Sequence, residues 1–64
     1  MTNLQRLRLE QGLSQSQLAS LAEVPVQYIQ HLEIRYRNIN KMALDRAIAI
    51  ADALGCDVRD LMES

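Results

Sequence analysis

Residues 14–38 carry the start and stop signals that most constrain how this chain folds, in the run SQSQLASLAEVPVQYIQHLEIRYRN. Ser14 followed three residues later by Gln17 predicts a capping box, because the hydroxyl accepts a free backbone N–H while Gln17 reaches back to the cap. Pro25 closes this first helix and opens another, since its fixed φ and missing N–H suit a helix start. We therefore expect a helix from near Gln15, a tight turn and a second helix.

The two helices are each predicted to have a buried side and an exposed side. The apolar residues at helical spacing, expected to face inward, are Leu18, Ala19 and Ala22 in the first helix and Ile29 and Leu32 in the second. The residues left to point outward from the second helix are Val26, Gln27, Gln30, His31 and Ile34. A second helix that shows amides and an imidazole to solvent is typical of a helix-turn-helix that reads the major groove. Tyr28 is expected either at the rim of such a site or within the protein.

One helix is expected before this stretch, over about residues 3–11. Thr2 or Asn3 supplies its cap, and Gly12 suits the left-handed residue that ends it. Its inward residues are Leu4 and Leu7. Glu23 lies in the turn before Pro25, where glycine would be more stable by roughly 1 kcal/mol if φ is positive.

Two helices are expected after the stretch. Helix 4 covers about residues 41–54, has Asn40 as its cap and is assigned to the scaffold, and Asp57 caps a last short helix. Their predicted inward residues are Met42, Leu44, Ala47, Ile48, Ala51, Leu54, Val58 and Leu61. The apolar residues that fall on no clear core stripe are Leu9, Ile34, Ile39 and Met62. The sequence thus predicts an all-α chain of five short helices forming one domain over residues 1–64.

The charge is polarised along the chain although the net charge is only −1. Residues 1–41 carry five basic and three acidic side chains, whereas residues 42–64 carry two basic and five acidic ones. The first part is therefore expected to face phosphates. One cysteine and one histidine are too few for a disulfide or a structural zinc site, and no run is long enough to span a membrane. We expect no enzyme activity, no cofactor and a cytoplasmic, nucleoid-associated protein.

Four motifs resemble the helix-turn-helix domain of phage repressors and Cro proteins, the XRE-type regulators. They are L-x-x-L-R-x-x-x-G-L from Leu4 to Leu13, S-Q-x-x-L-A from Ser14 to Ala19, V-x-x-x-x-I-x-x-L-E from Val24 to Glu33, and I-A-x-A-L-G from Ile50 to Gly55. The resemblance implies a compact five-helix, lambda-repressor-like DNA-binding domain with its helix-turn-helix in helices 2 and 3. It also implies a homodimer on a two-fold symmetric operator, with helix 3 in the major groove.

The resemblance also implies roles for individual residues. Base-reading positions fall on Val26, Gln27, Gln30 and His31. Positions that contact the DNA backbone fall on Gln15, Arg35, Tyr36, Arg37, Asn38 and Lys41, and Gln15 also braces the recognition helix. Arg8 and Glu33 match a structural ion pair between helices 1 and 3. Pro25 departs from the pattern because it stands where Ser or Thr is common, and Arg35 because it replaces the usual glycine after helix 3.

The function expected from these residues is a sequence-specific repressor of bacterial or phage origin. One alternative is the antitoxin of a toxin–antitoxin pair, which binds a protein partner as well as its own promoter. A second alternative is a protein-interaction helical module that does not bind DNA. A toxin or an anti-repressor is a possible protein partner. A metal-binding or catalytic role for His31 is disfavoured because no second ligand or nucleophile lies near it in sequence.

Overall fold

The computed structural model describes residues 1–63 and contains, within that range, four α-helices and no strand. The helices are α1 (Asn3–Glu10), α2 (Gln15–Ala22), α3 (Val26–Glu33) and α4 (Leu44–Leu54), with 3-10 turns at Ile39–Lys41 and Val58–Leu61. The prediction of an all-α chain is confirmed. The fifth predicted helix is present as the second 3-10 turn, which Asp57 caps by accepting the Arg59 N–H at 2.9 Å.

The helix starts follow the capping signals of the sequence. The Thr2 hydroxyl accepts the Gln5 N–H at 3.1 Å and begins α1. At the start of α2, the Ser14 hydroxyl accepts the Gln17 N–H at 3.0 Å, and the Ser14 N–H donates to the Gln17 side chain at 2.8 Å. The predicted capping box is therefore confirmed. Pro25 precedes α3 as its cap residue and makes no side-chain cap hydrogen bond there.

The core lies where α2 packs against both α3 and α4, with α1 and the second 3-10 turn closing it. Its fully buried large apolar side chains are Leu4, Leu18, Ile29, Leu32, Ile50 and Leu61. Each such side chain stabilises the fold by about 1.5–3 kcal/mol relative to an exposed position. The predicted inward sides of α2 and α3 are thus confirmed, and they hold α3 at the surface at a fixed angle to α2.

The start of α4 was predicted wrongly. The helix begins at Leu44 and not near residue 41, because residues 39–41 form a 3-10 turn, Met42 is extended, and Ala43 with ψ of 139° is not helical. Asn40 does not cap α4, since its side chain donates to the Glu63 carbonyl at 2.7 Å and accepts the Glu63 N–H at 2.8 Å.

The predicted inward side of α4 was also wrong in part. Leu44 is 69% exposed and Ile48 is 45% exposed, whereas Ile50 is fully buried. The buried side of the helix is formed by Ala47, Ile50, Ala51 and Leu54. Ile39, which fell on no core stripe in the sequence, is buried because the 3-10 turn directs it into the core.

Among residues 1–63, four adopt the left-handed backbone conformation, and two of them are not glycine. Gly12 and Gly55 have φ of 70°, Glu23 has φ of 58° and Arg35 has φ of 64°. Glu23 is the residue that ends α2, so the local weakness expected at the turn is present. A left-handed non-glycine residue costs roughly 1–2 kcal/mol.

Cys56 is half-buried against the core. Burial raises the pKa of its thiol, and the nearby carboxylates of Asp60 and Asp57 raise it further. The thiol is therefore held in its neutral, weakly nucleophilic form, as expected for a packing residue. Across residues 1–63, no helix is long and apolar enough to cross a membrane.

Candidate nucleic-acid interface

The outward face of α3 carries the predicted base-reading residues, with one difference. Gln27 and Gln30 are exposed, and His31 is half-buried at the last turn of the helix. Val26 is half-buried and packs against the core, so only part of its side chain faces outward. The amides of the two glutamines can each donate and accept hydrogen bonds, as adenine recognition in the major groove requires.

A buried ion pair fixes the end of α3. Arg8 Nε donates to Glu33 Oε2 at 2.6 Å, and Arg8 Nη2 donates to Glu33 Oε1 at 3.0 Å. Both residues are buried. Arg8 Nη1 also donates to the Leu13 carbonyl at 2.8 Å, and Gln15 Nε2 donates to Glu33 Oε1 at 3.0 Å. The ends of α1, α2 and α3 are therefore joined through one carboxylate, which sets the direction of α3.

Tyr28 lies within the protein and contacts two guanidinium groups. It is only 8% exposed, and the Cζ of Arg46 lies 4.5 Å from its ring centroid while that of Arg37 lies 5.1 Å away. A cation over an aromatic face stabilises by about 0.5–2 kcal/mol. The sequence predicts a DNA-backbone contact for Arg37 and assigns no role to Arg46. The only sequence feature that could have identified Arg46 is its position on the solvent-facing side of α4.

The loop after α3 brings four of the predicted backbone-contacting residues together. Tyr36, Arg37, Asn38 and Lys41 are exposed and line one open cleft with Tyr28 and Met42. The Tyr36 ring lies 4.8 Å from the His31 ring, at an interplanar angle of 57°. Asn38 caps the first 3-10 turn by accepting the Asn40 N–H at 2.9 Å, so the loop has a defined path beside α3.

Arg35 lies outside this cleft but shares a neighbouring one with Arg37 and Asn38, where it pairs with Glu63. Its Nη2 donates to Glu63 Oε1 at 3.2 Å and to the Met1 carbonyl at 3.4 Å. Glu63 also accepts the Asn3 N–H at 2.8 Å. That hydrogen bond, followed by the Arg35 guanidinium, holds the pKa of the Glu63 carboxyl below its usual value. Glu63 therefore competes with a phosphate for the Arg35 guanidinium, although only Nη2 is engaged and the side chain is exposed.

A second cleft adjoins the reading face of α3, and carboxylates are absent from the residues that line it. These are Pro25, Gln27, Tyr28, His31, Arg37 and Arg46. Cations, amides and aromatic rings are the side chains that bind phosphates and base edges, and here α3, the following loop and α4 bring them together. Within the range 1–63, the structure holds no group of three or more His, Cys, Asp or Glu side chains placed to bind a metal ion.

The comparison with known families agrees with this geometry. A family model described as Helix-turn-helix matches residues 4–61, which covers nearly the whole chain. No curated protein is significantly similar to the chain. The matched range includes α2 and α3 together with the Arg8–Glu33 pair that orients them.

Proposed function

Because this chain belongs to the XRE-type helix-turn-helix family, whose members are DNA-binding regulators, we propose that it is a repressor that occupies an operator and excludes polymerase. Its α3 lies in the major groove, where Gln27 and Gln30 read base edges, His31 donates to guanine and Val26 packs on a thymine methyl group. The proposal rests on the exposed amide face of α3, which borders a cleft lined by two arginines and no carboxylate.

The backbone contacts come from Tyr36, Arg37, Asn38 and Lys41, which share one cleft. Arg35 joins them from the neighbouring cleft that it shares with Arg37 and Asn38, and Gln15 contributes from the start of α2. Several cationic contacts are needed because phosphate neutralisation supplies most of the non-specific affinity for DNA. The net charge of −1 does not oppose this role, since the acidic side chains lie mainly in the second part of the chain.

The protein acts as a homodimer on a two-fold symmetric operator. An eight-residue α3 is about 12 Å long, so one copy reaches only a few base pairs. Two copies with half-sites one helical turn apart supply the specificity that one helix lacks. A protein with this role is located in the cytoplasm and associates with the nucleoid.

Selection from random duplex DNA, followed by affinity measurements at several salt concentrations, tests the proposal. A repressor returns a two-fold symmetric motif with half-sites about 10 bp apart or a multiple of that, and a steep fall in affinity with salt. The double variant Gln27→Ala/Gln30→Ala should lose the motif and keep the salt-dependent binding. Failure of the wild-type protein to enrich any sequence would overturn the proposal.

One observation favours a protein partner as a second function. Leu44 and Ile48 lie one turn apart on α4 and are both exposed. An antitoxin would bind its toxin through such an apolar strip and still repress its own promoter with α3. Co-purification with one partner at fixed stoichiometry, abolished by Leu44→Ser/Ile48→Ser with DNA binding retained, would support this function.

A further inference from the structure

The side chain of Arg46 is the strongest feature that the roles above leave unexplained. It projects from the third residue of α4, a helix that otherwise serves the core, and is exposed. Its guanidinium lies over Tyr28, a residue of α3, and within residues 1–63 it forms no ion pair with a carboxylate. Across residues 1–63, the other arginines that lie outside the Tyr28 contact, Arg6, Arg8, Arg35 and Arg59, all form ion pairs with carboxylates.

We propose that Arg46 is a DNA-backbone contact, positioned by the Tyr28 ring so that it and Arg37 hold phosphates beside the reading face of α3. This inference rests on the proposed function and names a contact of that same interface.

Two observations support a phosphate contact by Arg46. First, Arg46 lines the same cleft as Gln27 and His31, so a duplex whose bases meet those two side chains brings a phosphate strand past α4. Second, the ring of Tyr28 holds both guanidiniums, which places Arg46 and Arg37 at one edge of the recognition helix. Guanidinium groups present several N–H donors in a plane and bind phosphate oxygens in pairs.

The Tyr28 ring is also suited to hold a cation that must bind phosphate. A carboxylate partner would neutralise the guanidinium and compete with DNA for it, whereas an aromatic face orients the group and leaves its charge and its N–H donors available. Because Tyr28 is buried and belongs to α3, Arg46 keeps a fixed position relative to the base-reading residues. The contact therefore adds affinity for any duplex at a fixed place beside the base-reading residues.

Arg46→Ala, Arg46→Lys and Arg59→Ala in the full chain test the inference. Arg59 is the matched control because it carries the same charge, pairs with Asp57 and belongs to the second 3-10 turn. Each variant is titrated with the selected operator and with a random-sequence duplex at several salt concentrations, after thermal unfolding shows that it is folded.

Arg46→Ala should weaken binding of both duplexes about five- to tenfold at 0.1 M salt and reduce the salt slope by about 1. Arg46→Lys should keep the slope and lose part of the affinity, and Arg59→Ala should match the wild type. If the wild-type protein binds DNA and Arg46→Ala has the same DNA affinity as Arg59→Ala, this inference is overturned while the proposed function stands. A wild-type protein that binds neither duplex would overturn the proposed function and this inference with it.

Discussion

Arg8 and Glu33 lie 25 residues apart in the chain and are joined by two hydrogen bonds, of 2.6 and 3.0 Å, in a buried position. The same carboxylate accepts a third hydrogen bond from Gln15. One residue at the end of the recognition helix is thereby attached to both preceding helices. Its loss should affect the fold and the DNA-binding face together.

Arg8→Ala should lower the free energy of unfolding by about 3–5 kcal/mol, because it leaves the Glu33 charge buried without its cation. Urea denaturation followed by circular dichroism measures this loss. Arg6→Ala is the control, since Arg6 pairs with Glu10 on the exposed side of α1 and such a pair contributes about 0.5 kcal/mol or less. Equal effects of the two substitutions would contradict the structural role of the buried pair.

Gln27→Ala should relax specificity at one base pair of the operator, by about 1–3 kcal/mol of discrimination, with little change in binding of random DNA. Arg37→Ala should instead weaken binding to every sequence. Competition binding with single-base operator variants measures both effects. Gln11→Ala, an exposed glutamine just after α1, is the control. A uniform loss of affinity in Gln27→Ala would show that this residue reads no base.

Glu23→Gly should raise the free energy of unfolding by about 0.5–1 kcal/mol, because Glu23 ends α2 with φ of 58° and glycine adopts that conformation without steric cost. Asp52→Gly changes the charge equally but lies inside α4, where glycine should lower the free energy of unfolding by roughly 0.3 kcal/mol relative to aspartate. Chemical denaturation of both variants gives the comparison. If Glu23→Gly lowers the free energy of unfolding, the Glu23 side chain stabilises the fold by more than its left-handed backbone conformation costs.

Glu63→Gln should lower the melting temperature near pH 6 and have no effect in strong acid. The pKa of Glu63 is lowered in the folded protein, first by the Asn3 N–H and then by Arg35, so folding favours the ionised form. The stabilisation is complete above the ordinary glutamate pKa of about 4.3 and is lost as the pH falls through the lowered folded value. Melting curves over a pH series measure it. A difference that is constant at every pH would exclude a contribution from the ionised carboxylate.

The local signals in the sequence predicted most of the fold. The Ser14 and Gln17 pair marked the start of α2, and the apolar spacing of Leu18, Ile29 and Leu32 marked the core, because both patterns depend on neighbours in the chain. The start of α4 was not predicted because the Asn40 side chain forms hydrogen bonds with the backbone of Glu63, 23 residues away, and does not cap the helix. A local capping pattern contains no information about such a distant partner.

Only the candidate-site residues that lie in or next to the helix-turn-helix motif could be predicted from the sequence. Gln27 and Gln30 were found because their outward direction follows from helical period, and Arg37 because it follows α3 in the chain. Arg46 of α4 lies over Tyr28 of α3 because the two helices pack together. Residue spacing within each helix does not predict a contact between helices. Arg35 was expected among the backbone contacts, and its pairing with Glu63 arises from the meeting of distant segments.

The chain contains two tyrosines, one histidine and neither phenylalanine nor tryptophan. Its three aromatic side chains, Tyr28, His31 and Tyr36, lie on α3 or within three residues of its end. The aromatic signals in a proton NMR spectrum of this protein therefore report on the candidate interface alone, without isotope labelling. A small molecule without aromatic protons that binds at this face should therefore shift these signals.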